Sequence, residues 1–241
     1  MLVVAALVAG RPPAAGAEDL TIVSTVTTPR GTTRTQTQYL SPSRMRVSGE
    51  ERDTIVDLVS GKITILDNRR KEYSATTLDE LRAFTDQIDS AMAGRPIVDG
   101  TVGATARVTV EKGTGGKKVA GYDTEPYILT MGDSMRMEVF ITTALEPPAR
   151  YFDARKVLYS SRGPTARRFD RLLDEMKKIK GFPLATILDD RMRVSRRQVS
   201  TEATEVRKGP IPDSVFVAPS DYKKIDSPFG GDRPPRPRPS P

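Results

Sequence analysis

Apolar and polar residues alternate one for one through the first third of the chain, a period of two that predicts consecutive β-strands. Leu20, Ile22 and Val26 share one face of a first strand, with Thr and Val between them. Pro29-Arg30-Gly31 turns the chain into a second strand, where Thr33, Thr35, Thr37 and Tyr39 oppose Arg34, Gln36 and Gln38. Threonine is β-branched and suits a half-solvated sheet. After Ser41-Pro42-Ser43, Met45 and Val47 point one way while Arg44 and Arg46 point the other. Residues 54–59 and 62–66 form the clearest hairpin, across Ser60-Gly61, where glycine supplies a positive φ. Asp67-Asn68-Arg69-Arg70 then turns into a short strand carrying Tyr73.

The period changes at Thr77. Thr77-Leu78-Asp79-Glu80 fits a capping box, in which the threonine hydroxyl and the glutamate carboxylate accept from free N–H groups at a helix start. Leu78, Leu81, Phe84, Ile88, Ala91 and Met92 make one apolar stripe, and Gly94-Arg95-Pro96 ends it. A short helix is expected over 149–160. A stronger one spans 165–180, where Phe169, Leu172, Leu173, Met176 and Ile179 align before Gly181 and Pro183 stop it. Strands are expected at 105–111, at 125–131 and 135–142 across Gly132-Asp133, at 184–189, at 192–206 and at 215–217.

The pattern predicts an α+β fold of about eleven strands and two or three helices. Hairpin-length turns make the sheet antiparallel. Helices apolar on one side must lie on one face of it, and a long twisted sheet curls around them. The expected architecture is an open half-barrel covered on its concave face by the helices.

Composition narrows the chemistry. Among 241 residues there is no histidine and no cysteine. Most nucleophilic triads, thiol chemistry and zinc, copper, haem or iron–sulfur ligation are therefore excluded. Residues 1–17 read as a signal peptide: a short apolar run (MLVVAALVAG), then Arg11-Pro12-Pro13 and a small-x-small site at Ala15-Gly16-Ala17. No basic segment precedes the run, so the true start is expected upstream of Met1. Residues 18–226 are expected to form the single half-barrel domain, and the Pro/Arg-rich 227–241 a disordered tail. The expected location is the bacterial periplasm, as a soluble monomer without disulfides. The formal charge of +7 suits anionic lipid headgroups or cell-wall polymer. Nucleic acid is not an expected partner, since aromatic residues make up 6% and no recognition motif is present.

No catalytic group, cofactor or metal is expected. Asp189-Asp190 and Glu50-Glu51 lack calcium-loop spacing, and Asp53 and Asp57 read as exposed charges on one strand face. No Gly-x-Ser-x-Gly or Ser-x-x-Lys motif is present. Met45, Val47, Ile63, Ile65, Phe84, Leu129, Met135, Met137, Leu172 and Met176 are the candidate apolar groove, joined on the strands by Tyr127 and Met131. Methionine is flexible and polarizable and suits variable apolar ligands. The same residues equally suit an ordinary core packed on the helix stripes. Arg44, Arg46, Arg191, Arg193 and Arg197 are the candidates for contact with an anionic surface, with a solvated outer face as the alternative.

Four segments carry a resemblance. They are LVSGKITILD at 58–67 leading to Tyr73, Gly121-Tyr122 before Tyr127, Gly181-Phe182-Pro183, and Ile211-Pro212-Asp213-Ser214-Val215-Phe216 with Pro219 and Tyr222. Together, over about 19–224, they resemble an exported bacterial family of unknown function that is similar to the LolA/LolB-like lipoprotein carriers of the periplasm. The resemblance implies a half-barrel with a cavity suited to acyl chains, and it supplies no catalytic residue. The expectation is a non-enzymatic carrier holding an acyl chain or a lipidated partner. The alternatives are an envelope protein-interaction module with a fully packed core, and a carboxylate hydrolase.

Overall fold

A computed structural model describes residues 18–92, 107–133, 135–160, 168–190 and 197–227. The strands are β1 (Leu20–Thr27), β2 (Thr33–Leu40), β3 (Arg44–Ser48), β4 (Arg52–Asp57), β5 (Lys62–Asp67), β6 (Glu72–Thr77), β7 (Val108–Lys112), β8 (Lys117–Val119), β9 (Tyr122–Met131), β10 (Met135–Thr142), β11 (Phe182–Asp190), β12 (Arg197–Lys208) and β13 (Lys223–Lys224). The helices are α1 (Leu78–Met92), α2 (Tyr151–Ser160) and α3 (Arg168–Lys177). The expected signal peptide at 1–17 and the tail beyond 227 lie outside the described residues.

Thirteen strands, two more than the alternation predicts, form one curved sheet in the order β13-β6-β5-β4-β3-β2-β1-β12-β11-β10-β9-β7, with β8 paired to β9. Every pairing is antiparallel except that of β13 with β6. Among the described residues nothing pairs β7 with β6 or β13, so the sheet is an open half-barrel. The two extra strands are three and two residues long, too short for alternation to reveal.

Register decides which face each side chain takes, because paired residues in an antiparallel sheet share a face. Leu40 pairs with Met45, Met45 with Val56 and Val56 with Ile63, which sets one continuous apolar row. Met131 pairs with Met135, Leu129 with Met137 and Met137 with Leu188 at the other end. Both rows belong to the main core with Leu78, Leu81, Leu172, Leu173 and Met176 of the helices. The core therefore sits between the concave face and the helical layer. The α1 start is the predicted capping box: the Glu80 N–H donates to Thr77 Oγ1 at 3.1 Å, and the Thr77 N–H donates to Glu80 Oε2 at 2.8 Å.

A second, smaller core lies on the opposite face. There Ile55, Leu66, Tyr39 and Tyr73 are covered by the C-terminal segment through Ile211, Val215, Phe216 and Tyr222. Of residues 215–217, expected as a strand, Val215 and Phe216 instead fall on a 3-10 turn, Asp213–Phe216, and Val217 follows it with extended backbone. The turn presents Phe216 inward once, where a strand would have needed a partner edge. The hairpin expected across Ser60-Gly61 has a longer link, residues 58–61, because Leu58 turns into the main core and Gly61 takes φ +75°.

Candidate functional site

The concave space is built from the central and distal strands below and three helices above. α2 and α3 are tied together by crossed ion pairs, Lys156 Nζ to Asp174 at 2.8 Å and Lys177 Nζ to Asp153 at 2.9 Å. Tyr159 of α2 stacks on Phe169 of α3, with ring centroids 5.6 Å apart and planes 17° apart. The start of α2 is pinned to the 58–61 link, where Arg150 donates to the Leu58 and Val59 carbonyls at 2.8 and 3.0 Å.

Most of the candidate groove residues meet in this space. Met45, Ile63, Leu129, Met135, Met137, Leu172 and Met176 are all buried in the main core, and Ile65 packs against it. Met45, Leu129 and Leu172 are 0% exposed. Val47 and Phe84 are partly buried. Met131, fully buried beside Met135, completes a run of five core methionines with Met45, Met137 and Met176.

The arginines divide differently. Arg44 and Arg46 do lie on the face opposite Met45, but both are engaged within the chain. Arg44 donates to Asp213 and lies over the Phe216 ring at 4.6 Å. Arg46 donates to both Asp53 and the Val215 carbonyl. Arg191 and Arg193 lie outside the described residues, and Arg197 opens β12 with its side chain also outside the description.

Asp53, expected as an exposed charge, is buried, with a side chain 3% exposed. It accepts from the Arg46 guanidinium, from the Gly49 N–H at 3.1 Å and from Asn68 Nδ2 at 2.9 Å. Burial alone would raise its pKa; the bonds from Arg46, Asn68 and Gly49 outweigh that and hold the carboxyl below its ordinary value. Asp57 remains partly exposed and caps its turn, accepting from the Val59 and Ser60 N–H groups. Among the described residues no group of His, Cys, Asp and Glu could hold a metal ion.

One polar cluster inside the concave space is absent from the sequence expectations. Arg155 of α2 points toward the central strands, where Nη1 donates to Gln38 Oε1 of β2 at 3.4 Å and Nη2 to the Tyr159 hydroxyl at 2.7 Å. The Tyr151 hydroxyl also donates to Gln38 Oε1, at 3.2 Å. The guanidinium lies 5.6 Å from the Tyr151 ring centroid and 5.1 Å from that of Tyr159. Burial opposes its charge, but the two phenols favour it, and its pKa lies above the ordinary arginine value. Burial pushes the Tyr151 phenol up. The signal is present in the spacing: Tyr151, Arg155 and Tyr159 recur every four residues along one helix face.

Several solved structures overlay on this chain with TM-scores below 0.5. An uncharacterized conserved protein from Thermus thermophilus overlays with a TM-score of 0.48 at 8% identity, covering 88% of this chain and 91% of that one. A chain of the Pseudomonas aeruginosa MucA/MucB complex overlays at 0.45 and 12% identity, covering 86% and 58%. A LolA superfamily protein from Nitrosomonas europaea overlays at 0.31 and 8% identity, covering 84% and 90%. The chain thus spans 58% of its MucA/MucB counterpart, and 31% of PNGF-II, which it also resembles. No curated protein matches by sequence. Among the described residues no helix is long and apolar enough to cross a membrane. Residues 21–222 match the family described as Domain of unknown function (DUF4412), and the chain, an open half-barrel, belongs to that family.

Proposed function

We propose that this protein is a non-enzymatic, exported carrier that works in the periplasm and holds an acyl chain, free or attached to a partner, between its sheet and its helices. The observation that carries the reading is the covered concave face, lined by five buried methionines beneath a pair of helices tied to each other. Thioether side chains change rotamer at little cost, so such a lining can repack around a guest. Removing apolar ligand surface from water supplies roughly 25 cal/mol per Å², before ordering costs. Residues 1–17 would direct export, and 18–226 would be the working domain. A sequence without histidine or cysteine supports a passive role.

The test is native mass spectrometry of the protein purified from the periplasm. A co-purifying amphiphile that exchanges with added fatty acid is the expected result. Ligand-free protein that ignores apolar fluorescent probes would refute the carrier reading. A second reading, an interaction module with a filled core, is favoured by the near-zero exposure of Met45, Leu129 and Leu172. It predicts that ligand-free outcome together with a protein partner in cross-linking of intact cells.

A further inference from the structure

Three features of the concave space stand apart from its apolar lining. Arg155 is partly buried, yet it takes part in no ion pair among the described residues; the neighbouring carboxylates, Asp153 and Asp174, are held by Lys177 and Lys156. Its guanidinium offers five N–H donors, of which two are used. Gln38, also buried, spends its Oε1 on Tyr151 and Arg155 and leaves its NH₂ donors without an acceptor among the described residues. Ser24 of β1 is 2% exposed, and its hydroxyl has no hydrogen-bond partner among those residues. Ser24 pairs with Gln36, so it lies diagonal to Gln38, about 7–8 Å away.

A partly buried cation without an anion, and buried donors without acceptors, among the described residues, are costly beside a core that apolar residues could fill. All three shortfalls have one sign. Each group can donate, and none has an acidic acceptor. A carboxylate is the complement: its two oxygens fit the guanidinium fork, with acceptor capacity left for the amide and the hydroxyl. We propose that the concave space takes a fatty-acid-like amphiphile whose carboxylate pairs with Arg155, supported by Gln38 and Ser24. This deepens the carrier reading and rests on it. The tail would run over the apolar lining away from the polar notch, with the methionines repacking around it. From β2 to the methionine row on β10 the sheet steps through β1, β12 and β11, roughly 19 Å at ordinary strand spacing. That length accommodates an extended acyl chain beneath α2 and α3.

The test uses the full chain and displacement of N-phenyl-1-naphthylamine, an uncharged fluorescent probe of apolar sites. The competitors are laurate, dodecanol and dodecyl phosphate, all below their aggregation limits. Laurate should displace the probe at a concentration at least tenfold lower than dodecanol does. Arg155→Met should erase that preference while probe and dodecanol still bind, and Arg155→Lys should retain part of it. Equal potency of laurate and dodecanol in the unmodified protein would overturn the head-group assignment and leave the carrier reading standing. Stronger displacement by dodecyl phosphate would overturn the carboxylate in favour of a phosphate. Failure of the probe to bind at all would remove the carrier reading, and this inference with it. The ratio of laurate to dodecanol in the unmodified protein decides the matter even where a variant fails to fold.

Discussion

Removing one half of the Arg46–Asp53 pair should unfold more than a surface ion pair could. Both partners are shielded, with side chains 16% and 3% exposed. Asp53→Ala strips the acceptor from Arg46, Gly49 and Asn68 together. Arg46→Met leaves Asp53 charged under the C-terminal segment and frees the Val215 carbonyl. Breaking one side of a buried pair costs about 3–5 kcal/mol, whereas exposed pairs reach about 1 at most. For a domain of this size that lowers Tm by roughly 6–20 °C. Chemical denaturation at pH 7 of both single variants and the double variant measures the coupling, expected at about 2 kcal/mol. Hydrogen exchange adds a local readout, since the Val215 amide, bonded to the Pro212 carbonyl at 3.0 Å, should lose protection in Arg46→Met. The pH dependence has a definite sign. The folded pKa of Asp53 lies below its ordinary 3.8, so the pair's contribution is complete above that value and is lost as pH falls through the folded pKa. Acid unfolding of Asp53→Ala should therefore be shallower below about pH 4. Single variants that cost under ~1 kcal/mol, or whose costs add within ~0.5, would refute the buried-pair account.

Thr77→Ala should remove the α1 cap and cost about 1 kcal/mol in thermal denaturation, with loss of protection confined to the first turn. Gly181→Ala should destabilise by more than the usual glycine effect of about 1 kcal/mol, because φ is +115° and a Cβ would collide with the Thr142 carbonyl oxygen; melting curves against Gly115→Ala, which shares a positive φ of +80° but has open space around it, isolate the cost of the collision. Leu172→Ala, at a fully buried site of α3, should cost about 2–5 kcal/mol. Under the carrier reading the same variant enlarges the apolar space and raises N-phenyl-1-naphthylamine fluorescence, which is measured alongside stability.

Local patterns in the sequence account for the local structure. Alternation places Leu20, Ile22 and Val26 on the buried face of β1, and the Thr77–Glu80 box starts α1 with both predicted bonds. Long-range returns are not legible. Asp53 reads as a solvated strand charge until Arg46, seven residues earlier, and a segment over 150 residues later close over it. Residues 215–217 read as extended because Val215 and Phe216 serve a second, outer core that periodicity cannot assign to either face, while Val217 stays exposed. Arg44 and Arg46 read as a free basic surface for the same reason. The inward placement of the candidate groove residues is recoverable because each belongs to a period-two or period-3.6 stripe. Arg155 shares a helix face with Tyr151 and Tyr159 at a spacing of four, but that spacing does not say which way the face turns, and a single charge reads as the wet side until the packing of α2 on Gln38 is known.

The order of strands sets a condition on how the molecule is made. β1 to β6 follow one another as neighbours, and β9 to β12 do the same, so two meanders can assemble from nearby chain. Among the described residues only the seam between β1 and β12, from Leu20 opposite Lys208 to Thr27 opposite Ser200, joins them through the sheet. A nascent chain halted before residue 197 carries β1 with one raw edge in the middle of what should be a continuous wall. The edge of β1 therefore stays unsealed until β12 has been made, and an unpaired strand edge invites wrong pairing in the meantime.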